Sequence, residues 1–155
     1  MKSLPTFIYE KQIWKRGYRY IAGIDEVGRG CFAGPVVAGA VVFGKFSNFQ
    51  FPFSIEGKGK VIINDSKKLT KTQREVAAEW IKENCLVWGI GEASASTINR
   101  VGIVKATEMA FRKAIKMAND PTSHKATLGA RQIKIDFLLI DAFYIPQVKG
   151  LRRKN

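Results

Sequence analysis

Acidic side chains are scarce in this chain. Thirteen Asp and Glu stand against 26 Lys and Arg, a formal net charge of +13 with a pI near 10.0. An excess of that size speaks about partners rather than fold, and it leaves nucleic acid, an anionic membrane surface or a generally solvated basic exterior as readings. Cysteine is nearly absent. The two present, Cys31 and Cys85, form neither a metal-type nor a redox spacing, so reduced thiols in a cytoplasmic protein are expected. Long hydrophobic runs are missing too: residues 31–43, the longest, carry glycines and a proline and are too short to span a bilayer. Glu10, Lys11, Lys15 and Arg16 interrupt the start early, which argues against a signal-type apolar core. A soluble protein without membrane attachment is expected. Internal repeats, heptads and extended low-complexity tracts are absent as well, which excludes a solenoid or a coiled coil.

What is present is the composition of one globular domain. The 155 residues are 46% apolar and 25% charged, enough to bury a core without staples. Residues 1–19 read as a basic, aromatic-dotted leader without a clear period. Tyr20 to Glu26 and Val36 to Phe43 have the β-branched and small apolar character of strands, joined by a Gly-rich connection ending at Gly34-Pro35. Residues 45–60 read as a loop, and Val61 to Ile63 as a short third strand. Thr70-Lys71-Thr72-Gln73 has the form of a capping box opening a helix to about Asn84, with Val76, Ala77, Trp80 and Ile81 on one face. Leu86 to Ala93 reads as a strand, and Ser94 to Arg100 as a polar turn with room for a short helix. Gly102 to Ala118 reads as a helix with Ile103, Thr107, Ala110, Phe111, Ala114 and Ile115 at helical spacing. Residues 119–132 read as an exposed loop. Lys134 to Ile140 reads as a strand, apolar and hence buried from Phe137 onward, that runs directly into Asp141, with Asp136 at its polar entrance as a solvated end residue rather than a ligand. This order predicts an α/β sheet whose first strands are antiparallel and whose later strands are joined by helical crossovers.

The chemistry concentrates at residues 21–43. Asp25 and Glu26 end an apolar strand, and the glycine-bracketed Gly28-Arg29-Gly30 follows at once. Carboxylates beside bare backbone amides and a cation make a poor core, but they suit a divalent metal held next to a phosphodiester. Taken singly, each acid reads as an exposed strand end. If the strands ending at Asp25 and Asp141 are parallel neighbours, both carboxylates emerge at one sheet edge, where α/β folds place their sites. Asp25 and Glu26 point to opposite faces of a regular strand, so they share a site only where the strand ends or twists. Oxygen-only ligation of this kind suits Mg²⁺ or Mn²⁺ better than zinc.

Residues 22–30 (Ala-Gly-Ile-Asp-Glu-Val-Gly-Arg-Gly), with Ala33-Gly34-Pro35-Val36-Val37 following, closely resemble the opening motif of type 2 ribonucleases H. Asp65-Ser66-Lys67-Lys68-Leu69 resembles that family's second motif, Ile98 to Ala114 its central helix, and Leu139-Ile140-Asp141-Ala142 the strand bearing its third acid. The resemblance implies a ribonuclease H-like fold in one domain spanning 1–155. It also implies endonucleolytic cutting of the RNA strand of RNA–DNA hybrids and of ribonucleotides embedded in duplex DNA, leaving a 5′-phosphate and a 3′-hydroxyl, with no membrane partner and as a monomer. By resemblance Asp25, Glu26 and Asp141 take the catalytic metal-ligand positions for Mg²⁺ or Mn²⁺. Gly28, Arg29 and Gly30 take those that read the ribose 2′-hydroxyl and adjoining backbone, and Lys67 that of a phosphate-contacting lysine. The chemistry is apt: the 2′-hydroxyl separates RNA from DNA, and glycine lets amides approach it.

Two departures stand out. Cys31 and Phe32 replace the family's usual proline and leucine, a tolerable change. The family's fourth acidic ligand, its C-terminal helices and its substrate-stacking tyrosine follow the third acid, and nothing after Asp141 matches them. A fragment, or a catalytically impaired relative acting as a basic nucleic-acid-binding module, is therefore the alternative expectation. A junction resolvase fits less well, because a DNA-only enzyme has no 2′-hydroxyl for Gly28-Arg29-Gly30 to read.

Overall fold

The computed structural model describes residues 5–45, 53–55, 59–122, 133–140 and 152–154. The two segments richest in small and β-branched residues become strands β1 (Ile21–Val27) and β2 (Val36–Val42). They pair antiparallel from Ala22↔Val42 to Val27↔Val37. Strand β5 (Val87–Ala93), so numbered because a short hairpin intervenes, runs antiparallel along the outer side of β2. On the other side of β1 lies β6 (Phe137–Ile140), parallel to it, and then β7 (Arg152–Lys154), parallel to β6. The sheet order is β5-β2-β1-β6-β7. This is the expected mixed α/β sheet, antiparallel in its first strands and parallel where a helical crossover returns the chain.

The helices that complete it are α1 (Ile8–Lys15), α2 (Lys71–Asn84), α3 (Ala95–Val101) and α4 (Ile103–Asn119). Alternation along the strands sends one set of side chains to α4. Ala22 and Ile24 of β1, Val36, Ala38, Ala40 and Val42 of β2, and Leu138 and Ile140 of β6 form one core with Ala106, Ala110, Phe111, Ala114 and Ala118. The helix lies unusually close to β5. A Cβ on Gly91 would run into the Ala110 carbonyl oxygen, and one on Gly89 into that of Ala114. Glycine on the strand and alanine every fourth residue on the helix let the two backbones approach where larger residues would hold them apart.

Helix α2 starts as its sequence predicts. The Thr70 hydroxyl accepts from the Gln73 backbone amide at 3.3 Å, and the Gln73 side-chain Oε1 accepts from the Thr70 backbone amide at 2.9 Å. Its buried residues are Ala77 and Trp80, with Val76 and Ile81 only half-buried.

Three expectations change. Within residues 1–19, read as a leader without a period, α1 forms and buries Ile13 and Trp14 against Ile21 and Phe137 on the sheet face opposite α4. Its buried residues are sequence neighbours, not residues three or four apart, so no amphipathic stripe announces it. The third strand does not run from Val61 to Ile63. Strand β4 (Gly59–Val61) ends at Val61 because its antiparallel partner β3 (Phe53–Ile55) begins opposite it, Phe53↔Val61. The pair is a separate two-stranded sheet inside the stretch read as a loop. Strand β7 was not anticipated, since Arg152-Arg153-Lys154 has no strand pattern of its own. Residues 123–132 of the expected loop lie outside the described residues. No described helix is long and apolar enough to cross a membrane.

Candidate active site

Strands β1 and β6 run parallel up to the residues that precede the expected acids. In the parallel pair Ile24 stands opposite Ile140. The next residue on β1 is Asp25; the residue after Ile140 is Asp141, which lies outside the described residues. The register is held at the opposite end of the strands by Asp136. Its Oδ2 accepts from the Arg19 amide at 2.9 Å and its Oδ1 from the Tyr20 amide at 3.0 Å, while its own amide donates to the Tyr20 carbonyl at 3.0 Å. Asp136 stands at the strand entrance, but it is half-buried and tied to backbone rather than the solvated end residue expected. Its carboxylate is spent on backbone amides rather than on solvent, a role that its position just before an apolar run hints at but does not specify.

Asp25 is exposed and Glu26 half-buried, the alternation expected of neighbours on a strand. Asp25 Oδ1 accepts from the Glu26 amide at 2.9 Å. Glu26 Oε1 accepts from Arg29 Nη1 at 3.4 Å, an ion pair that ties the second acid to the glycine-bracketed arginine. Strand β1 ends at Val27 because Gly28 takes φ +102°, a conformation costly for any residue with a Cβ. There is no room for one either: a Cβ on Gly28 would strike the Pro35 carbonyl oxygen. The Cys31 amide closes the turn onto the Gly28 carbonyl at 3.3 Å. Gly28, Arg29 and Gly30 therefore form a tight turn directly after the acids, with Arg29 and Gly30 exposed and Phe32 fully exposed.

Lys67 sits in a 3₁₀ turn, Ser66–Lys68, capped by Asp65, whose Oδ1 accepts from the Lys67 amide at 3.0 Å. The Asp65 carboxylate also lies 3.9 Å from Lys68 Nζ. Lys67 itself is exposed, and no carboxylate among the described residues pairs with its ammonium. Arg74, which sequence reasoning did not single out, reaches back from the first turns of α2 to the carbonyls of this turn.

Among the described residues, no three His, Cys, Asp or Glu side chains gather into a group able to hold a metal. The described part of the candidate set is Asp25 and Glu26, oxygen donors of the kind hard cations such as Mg²⁺ and Mn²⁺ favour. Both cysteines are free, with Cys31 exposed and Cys85 buried. Burial pushes the Cys85 thiol up to about 11.

The fold is that of a ribonuclease H-like α/β protein. Among solved structures, the ribonuclease H2 from Pyrococcus horikoshii OT3 superimposes with a TM-score of 0.51 at 22% sequence identity, over 78% of this chain and 49% of that one. The sequence pattern of the family described as Ribonuclease HII matches residues 22–147, and the chain belongs to that family. Ribonuclease HII of Clostridioides difficile (strain 630) is 42% identical over 141 residues, 91% of this chain and 46% of the relative. That of Desulfitobacterium hafniense (strain DSM 10664 / DCB-2) is 36% identical over 140 residues, 90% and 45%. The Dehalococcoides mccartyi (strain ATCC BAA-2266 / KCTC 15142 / 195) protein is 34% identical over 144 residues, 93% and 58%. The chain thus spans about half the length of the curated relatives it matches.

Proposed function

We propose that the chain carries metal ligands and the hybrid-reading turn of an endonuclease that cuts the RNA strand of RNA–DNA hybrids and ribonucleotides embedded in duplex DNA. The observation that carries this reading is the parallel register of Ile24 with Ile140, each followed in sequence by an acid. Asp25, Glu26 and Asp141 are the residues that would hold Mg²⁺ or Mn²⁺. Bound there, such ions would supply activation of the attacking water and neutralisation of charge on the leaving oxygen. The protein's own part is to position the substrate. Amides of the Gly28–Gly30 turn approach the ribose 2′-hydroxyl where no side chain intervenes, and Arg29 approaches the same backbone from its pairing with Glu26. Lys67 supplies a point charge to a phosphate.

No Asp or Glu follows Asp141 among these 155 residues, and the reading predicts slow cutting by the 155-residue chain alone. The test is cleavage of a labelled duplex containing one ribonucleotide, with Mg²⁺ or Mn²⁺. The chain is assayed by itself and fused to the remaining C-terminal half of a curated relative. The fusion should cut on the 5′ side of the phosphate that remains on the product, and Asp25→Asn or Asp141→Asn should nearly abolish cutting. A fusion that binds hybrid but never cuts it would favour the binding-module reading instead.

A further inference from the structure

Arg74 is an odd residue for its place. It lies in the opening turns of α2, where no acid is present in the first turn and where a cation opposes the helix dipole. Its position is explained by what it grips. Arg74 Nη1 donates to the Leu69 carbonyl at 2.6 Å and to the Ser66 carbonyl at 3.3 Å, so both hydrogens of one nitrogen are spent on the two ends of the short turn that carries Lys67. Among the described residues the turn is otherwise held by Asp65 Oδ1 on the Lys67 amide, by the Lys68 and Leu69 amides on the Asp65 and Ser66 carbonyls at 2.9 and 3.3 Å, and by the Asp65 carboxylate 3.9 Å from Lys68 Nζ. Ser66, Lys67 and Lys68 are all exposed, and none of them anchors the turn by burial.

We propose that Arg74 is a positioning residue for nucleic-acid binding: by clamping the Ser66 and Leu69 carbonyls to the start of α2, it fixes the turn that presents the Lys67 ammonium to a backbone phosphate. This inference rests on the reading of Lys67 as a phosphate contact given above. The physical case is one of entropy. A flexible four-carbon side chain on a loose exposed turn loses much of its freedom when it engages one phosphate, whereas a turn already tied to a helix leaves only the side chain to order. Arginine suits the task because the two N–H bonds of Nη1 are fixed in the guanidinium plane, one for each carbonyl, whereas the hydrogens of a lysine's ammonium rotate freely. The helix itself does not depend on Arg74, since its capping box is made by Thr70 and Gln73.

The experiment is a double-mutant cycle on the 155-residue chain with Lys67→Ala, Arg74→Gln and the pair. Binding to an RNA–DNA hybrid is titrated at several salt concentrations, melting temperature is recorded for each variant, and amide exchange is followed at residues 66–69. Arg74→Gln should speed exchange of the Lys67, Lys68 and Leu69 amides and weaken binding several-fold. It should also lower the slope of log affinity against log salt by up to about one, the loss of a single phosphate contact. The pair should bind no more weakly than Lys67→Ala alone. If Lys67→Ala weakens binding while Arg74→Gln does not, or if the two losses add, Arg74 does not act through Lys67 and the proposal is overturned. If Lys67→Ala leaves affinity and salt slope unchanged, the phosphate role of Lys67 fails, and the proposal with it, on a separate readout. Should Arg74→Gln lower the melting temperature enough to blur binding, Arg74→Lys provides the second comparison; unchanged exchange at residues 66–69 in both variants would equally overturn the clamp.

Discussion

Ile24 of β1 stands directly opposite Ile140 of β6 in a parallel pair. Parallel neighbours end at the same edge of a sheet, and it is there that α/β folds gather their chemistry. Asp25 follows the first isoleucine and Asp141 the second. The core beneath both isoleucines, built on Ala106, Ala110 and Phe111 of α4, therefore sets the position of the edge as much as the acids themselves do.

Metal capture should depend on Asp25. Its carboxylate is exposed and, among the described residues, accepts one hydrogen bond, from the Glu26 amide, which an asparagine oxygen can also accept. Asp25→Asn should thus leave the melting temperature nearly unchanged while weakening Mn²⁺ binding by about 10-fold or more, a loss that even outer-shell partners of a metal commonly cause. Calorimetric titration of Mn²⁺ into both proteins checks this. Equal affinities would remove Asp25 from the ligand set.

Binding of RNA–DNA hybrid should fall steeply with salt. A chain of net charge +13 that neutralises four phosphates would lose about 100-fold in affinity between roughly 50 and 200 mM monovalent salt through counterion release. Hybrid should also bind more tightly than DNA of matched sequence, because only the hybrid offers 2′-hydroxyls. Titrations on both duplexes across that salt range decide the matter, and a flat salt response or equal affinities would count against the reading.

Replacing Gly28 should be costly twice over. Its φ of +102° disfavours any Cβ, and the Pro35 carbonyl occupies the space a Cβ would need. Gly28→Ala should destabilise the chain by about 2 kcal/mol or more, read as a lowered midpoint in urea denaturation. Gly30→Ala, where nothing lies within 4 Å of the added carbon, is the control and should cost much less.

Glu10 should make stability depend on pH. It lines an apolar recess with Phe7, Ile21, Val41, Phe43 and Ile63, and burial raises its carboxyl above the usual glutamate value. A folded state that holds the proton more tightly than the unfolded chain is favoured at low pH, and this advantage is lost as pH rises through the raised value. Glu10→Gln should therefore gain stability relative to the parent chain at pH 7, with the difference shrinking toward pH 4. Thermal melts of both proteins across that range test the sign.

Much of this protein is legible in its residues because the signals are local. The capping box at Thr70 and Gln73, the helical spacing of Ile103 to Ile115 and the strand character of residues 21–27 and 36–42 each depend on neighbours within a few positions. The family motif around Asp25 likewise declares itself without coordinates. What the residues do not declare is pairing at a distance. Helix α1 forms around Ile13 and Trp14 because Ile21 and Phe137 offer them an apolar face, and β7 exists because β6 presents an open edge. Asp136 reads as a strand end, but which amides it holds follows only once β1 and β6 lie side by side. Arg74 looks like a surface charge until α2 brings it back onto the Ser66 and Leu69 carbonyls. Sequence alone determines which residues can serve as ligands, turns and caps, since those properties belong to side chains and short backbone stretches. Which strands stand adjacent, and hence which acids can end at one edge, is decided by burial of the whole sheet against α4, a cooperative choice made among distant segments and written in none of them singly.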